Sequence, residues 1–165
     1  MAQTAEMNDL VRELKARRTA QGQGKVDLAK WISDLEALIA QIESWLQPLS
    51  SEGLLEVKPG KLKVYEDEHG EYEAPTVSMT FPGSGRYVSV EPRGLEIVGA
   101  VLAPGISVSG MRGRVDMASA SGEKIVIFRD PASKWVFVGD LPGRTGTQHA
   151  VDEDTFALAL KWLLP

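Results

Sequence analysis

The sequence predicts an α+β protein: helices first, then a run of antiparallel strands, then a closing helix. Three patterns carry that expectation. Apolar residues recur at helical steps as far as Leu49, the period falls to two from Leu54 onward, and an acidic start followed by an apolar face marks a last helix near the C-terminus. At 165 residues, the chain divides into a helical segment, 1–50, and a sheet with its terminal helix, 51–165, expected to form one compact unit.

The strongest element is a stripe made of Leu28, Trp31, Ile32, Leu35, Leu38, Ile39, Ile42, Trp45, Leu46 and Leu49. Its steps of three and one residues make an apolar face broader than a coiled-coil seam, as suits a helix lying on a sheet. Asp27 is the expected N-cap, and Pro48 with the Leu-Ser-Ser-Glu-Gly that follows is the expected stop. Upstream, Met7, Leu10, Val11 and Leu14 repeat the pattern. Gln21-Gly22-Gln23-Gly24-Lys25 separates the two stripes, and each glycine costs a helix roughly 1 kcal/mol relative to alanine. A break there predicts a helical hairpin. One continuous helix is the alternative, because Leu14 and Leu28 share a heptad phase.

Alternation then takes over at Leu62 and Val64, at Val77, Met79 and Phe81, and at Leu95, Ile97 and Val101. Turn signals fall at Glu68-His69-Gly70, Pro82–Gly85, Pro92-Arg93-Gly94, Pro104-Gly105, Ser121-Gly122 and Asp130–Ser133. Spacing of this kind predicts an antiparallel meander of about seven strands. Ile125–Phe128 and Trp135–Val138 are apolar on both faces and should be central, covered on both sides. Asp152-Glu153-Asp154 should open the last helix, whose apolar face carries Phe156, Leu160, Leu163 and Leu164.

Composition excludes more than it assigns. There is no cysteine, hence no disulfide, thiol nucleophile or zinc-thiolate site. A net charge of −5, spread evenly along the chain, argues against nucleic acid as the partner. No run of about 18 apolar residues spans a membrane. The N-terminus has no secretory core, so a cytoplasmic location is the expectation. His69 and His149 are isolated, without a second histidine at metal-ligand spacing, so neither a metal nor another cofactor is expected. The acidic stretch Glu66–Glu73 does not match a calcium loop and is expected to be a solvated hairpin tip. No hydrolase elbow, P-loop or dinucleotide fingerprint occurs.

Two candidate surfaces remain. Met7, Leu10, Val11 and Leu14 form a short terminal stripe that is poorly held unless it docks on a protein partner or a second copy. That makes a non-catalytic, protein-binding or adaptor-type chain, homodimeric through its N-terminal helices, the leading expectation. The alternative is an anion- or nucleotide-binding domain, enzymatic or not, built from two glycine-rich loops. In it Arg112, Arg114 and Asp116 alternate onto one face of a strand, and Arg144, His149 and Arg86 complete the pocket.

Overall fold

A computed structural model describes residues 4–96 and 111–164. Helix α1 (Ala5–Ser51) leads into β1 (Glu56–Glu66), β2 (Gly70–Phe81), β3 (Arg86–Gly94), β4 (Arg112–Ser119), β5 (Lys124–Arg129), β6 (Trp135–Val138) and β7 (Gln148–Ala150), and α2 (Glu153–Leu163) ends the chain. Among the described residues the strands form one seven-stranded sheet in sequential order, and each neighbouring pair is antiparallel. The α+β meander expected from the sequence is therefore present. Among the described residues no helix is long and apolar enough to cross a membrane.

The helical hairpin is not formed. Residues 5–51 are one continuous α-helix that passes through Gly22 and Gly24. Glycine weakens a helix by entropy but does not obstruct it, and good helix formers flank both positions: Ala20, Gln21, Gln23 and Lys25. The N-cap is Thr4, whose hydroxyl accepts from the Met7 N–H at 3.2 Å, and Asp27 lies deep inside the helix. Pro48 also lies inside, in the last turn, where the single ladder bond it removes is close to the end of the helix.

Trp31, Leu35, Leu38, Ile39, Ile42 and Leu46 bury the expected stripe in a core with Val77, Val88, Val90, Val115, Met117, Ile127 and Phe137 of the sheet. Helix α2 joins the same core through Phe156, Ala159, Leu160 and Leu163. Its entry is fixed by Asp152, whose carboxylate accepts from the Thr155 N–H at 2.8 Å while the Thr155 hydroxyl accepts from the Asp152 N–H at 2.9 Å. Trp45 and Phe156, with ring centroids 5.6 Å apart, bring the two helices together. A smaller cluster of Met111, Val126, Phe128 and Val138 lies on the opposite face, so β5 and β6 are apolar on both sides as expected. Edge strand β1 carries Lys58, Pro59, Lys61 and Lys63, a composition that discourages pairing with another sheet.

Several local expectations change. Pro92-Arg93-Gly94 is not a turn but the end of β3, with an irregular register against β4. Leu95 is buried just beyond it, and Ile97, Val101 and the Pro104-Gly105 turn lie outside the described residues. The β1–β2 tip is only partly solvated: Asp67 and Glu68 are exposed, whereas Glu66 and the His69 side chain turn inward. His149, expected in a loop, is in β7.

Candidate functional site

One glycine decides where the arginines go. Arg112 pairs with Arg129 across the β4–β5 ladder and Arg114 pairs with Phe128, leaving Gly113 as an unpaired bulge with φ +87°. Arg129 and Phe128 are adjacent in a strand and so point to opposite faces. Arg112 therefore faces α1, while Arg114 and Asp116 face away from it. The expectation that all three share one face is corrected by this bulge.

On the helix face a cleft of about 620 Å³ opens between residues 20–28 of α1 and the β1–β2 tip, lined among others by Gln21, Gln23, Asp27, His69, Glu96 and Arg112. A chain of polar contacts runs across it. Gln23 donates to Asp27 at 3.0 Å, and Arg112 donates to Asp27 at 3.1 Å. Arg112 also makes two hydrogen bonds to the Glu96 carboxylate. His69 Nε2 lies 3.0 Å from Glu96 Oε1. Just below, the buried Glu66 carboxylate accepts from the Leu95 N–H at 3.0 Å, the Glu96 N–H at 2.7 Å and the Tyr72 hydroxyl. Trp31 Nε1–H donates to that hydroxyl at 3.2 Å.

This network joins helix to sheet. Hydrogen bonds from Gln23 and Arg112 hold the Asp27 carboxyl below its ordinary range, and Arg112 does the same to Glu96, aided by His69. Glu96, followed by Asp27, raises the Arg112 guanidinium in turn. Burial, reinforced by the Glu66 carboxylate, pushes the Tyr72 phenol well above its usual value. A carboxyl group with a depressed folded pKa stabilises the fold above its unfolded pKa of about 4, and that stability disappears as pH falls through the folded value. The unsubstituted chain should therefore lose stability more steeply below about pH 4 than Arg112→Gln. Urea titrations at a series of pH values would measure this, and equal slopes would contradict the role given to Arg112.

The other candidate arginines do not join the cleft. Arg114 donates to Asp116 at 2.8 Å and Arg93 donates to the same carboxylate at 2.9 Å, a compact cluster on the far face. Arg86 sits near the opposite end of the sheet: Val88 pairs with Ser119, seven residues from Arg112 and so about 23 Å along the strand. There Arg86 donates to the Leu164 carbonyl at 2.9 Å and ties down the end of α2. Arg144 is exposed between β6 and β7, and His149 Nε2 lies 3.0 Å from the Gly146 carbonyl oxygen. The loop of Arg144 leaves β6 at Val138, the end away from the Trp135–Arg129 pair and hence from Arg112. The six residues occupy four separate places. Sequence reasoning missed Asp27, His69, Glu96 and Glu66 as partners, because they come from different elements and share no local spacing.

No family model, curated protein or solved structure matches the chain.

A different surface answers to the apolar stripe at the N-terminus. Residues 5–23 of α1 are exposed throughout except for Val11, which is half-buried. They extend about 28 Å at the helical rise. Met7, Leu10 and Leu14 are 47%, 45% and 52% exposed. Among the described residues, the side chains of this segment bond only within the helix: Asp9 with Arg12, Glu13 with Arg17, Thr19 with the Lys15 carbonyl, and Gln23 with Asp27. From Trp31 onward, the same heptad phase is buried on the sheet.

Proposed function

We propose that this chain is a non-catalytic binding protein whose docking element is the first half of α1. One observation carries the reading: Met7, Leu10, Val11 and Leu14 continue the phase of the core stripe along a helix that has left the sheet. Helices in proteins owe most of their stability to packing an apolar face, and among the described residues no strand buries these side chains. A protein partner that accepts four turns of amphipathic helix supplies what is missing. The anion-pocket alternative lacks comparable support. Arg112 and Arg114 already bind carboxylates on opposite faces, and the cleft at Arg112 carries Asp27 and Glu96 against one guanidinium.

Site-specific photo-cross-linking in the source cell tests the reading. A photoreactive residue at position 10 or 14 should give adducts, and one at Gln41, exposed on the docked half of the same helix, should not. Equal labelling at all three positions, or none at 10 and 14, would overturn it. Replacing Leu10 and Leu14 together by glutamate should abolish the adducts formed from a neighbouring position, Met7. The melting temperature should hardly move, because substitutions at exposed sites change stability by about 0.5 kcal/mol or less.

A further inference from the structure

We propose that the occupant of this docking surface is a second copy of the chain, lying antiparallel across residues 5–18. The inference rests on the reading of the first half of α1 as a docking element, and adds the partner and its orientation. With Met7 and Leu14 at one inward heptad position, Leu10 and Arg17 occupy the other. Two such helices lying antiparallel bring Leu10 against Leu14 of the second copy, and Met7 against Arg17 of the second copy. The stem of Arg17 can cover the methionine while its guanidinium keeps its ion pair with Glu13 of the same helix. Both layers occur twice, as a two-fold axis requires.

Charge selects this orientation. The first turns carry Glu6 and Asp9, and the following turns carry Arg12, Lys15, Arg17 and Arg18 against a single Glu13. Antiparallel packing sets the acidic end of each helix beside the basic end of the other. Parallel packing would place Arg17 against Arg17 at an inward position, two like charges in the seam. Glu13, which approaches its own copy near the axis, is already held by Arg17 at 2.6 Å. A contact of this length is small beside the roughly 800 Å² per partner of a standard interface, so the dimer is expected to exchange with monomer on dilution.

The absence of native cysteine makes the test clean. Met7→Cys and Arg17→Cys, purified separately as full-length chains, should each stay unlinked under mild oxidation. In the antiparallel pair, position 7 lies about 15 Å along the axis from its own copy, beyond the roughly 7 Å Cα separation a disulfide tolerates. An equimolar mixture should give a linked species of twice the 17.9 kDa chain mass. Self-linking of Met7→Cys alone would overturn the orientation. Failure of the mixture to link, with the unsubstituted chain at monomer mass by light scattering, would overturn the second copy. The photo-adducts at position 10 separate that failure from failure of the docking reading. Adducts of another mass leave the docking reading standing with a different partner, and no adducts remove both.

Discussion

Replacing Trp31 by alanine is expected to cost the fold about 3–5 kcal/mol, the range for deleting a large buried aromatic. Trp31 is fully buried and is the largest such side chain among the described residues. Its ring meets Trp135 at 5.7 Å between centroids, and the Arg129 guanidinium sits over it at 5.0 Å. Its N–H is one of the donors that close the Tyr72–Glu66 network. Truncation would leave a cavity between α1 and the sheet and remove that donor together. Arg129 would keep its ion pair with Asp34 at 2.6 Å, so the helix should stay docked but loosely. A domain of this class has only about 5–15 kcal/mol in all, and the melting temperature should fall by roughly 10 °C. Chemical denaturation followed by circular dichroism measures the loss, and a change below about 1 kcal/mol would contradict the central place given to this side chain.

Gly113→Ala should cost about 2–5 kcal/mol for two separate reasons. At φ +87° a side chain is strained by about 1–2 kcal/mol. The added methyl would also lie 2.4 Å from Trp31 Cζ3 and 2.9 Å from Cη2. A buried ring cannot retreat cheaply, and overpacking a core costs about 1–3 kcal/mol. Only the second cost depends on the tryptophan. In Trp31→Ala the methyl enters the vacated space, so the double variant should be more stable than the sum of the singles by about 0.5–3 kcal/mol. Strict additivity would show that the cost at Gly113 is backbone strain alone.

The two positions also mark where the sequence was and was not legible. Trp31 announced itself, because a broad stripe at helical steps has few explanations besides a helix on a sheet. Asp152 was equally plain, since an acidic residue before an apolar face is a local signal with a local cause. The alternation of Arg112, Arg114 and Asp116 predicts a regular strand through Gly113, but that glycine is a bulge within the strand. One unpaired residue exchanges the faces of everything before it, and that sent Arg112 to the helix and Arg114 away from it. Gly22 and Gly24 misled in the opposite direction: their entropic cost is real, but it did not end a helix flanked by good helix formers. The cleft was illegible for another reason. Asp27, His69, Glu96 and Arg112 meet only because α1 continues past the β1–β2 tip, which no spacing within one element encodes. Of the candidate surfaces, the stripe at Met7, Leu10, Val11 and Leu14 was readable in advance, since it depends on helical periodicity alone.

In the proposed reading helix α1 has two halves with different sources of stability: the sheet supplies one, and a docked partner would supply the other. Amide hydrogen exchange along α1 in the purified chain, at a dilution where light scattering reports monomer, tests that division directly. Strong protection is expected from Trp31 to Leu46, with a sharp fall toward the N-terminus before Lys25. Uniform protection from Leu10 to Leu46 in the monomer would contradict the account, because the first half would then need no partner.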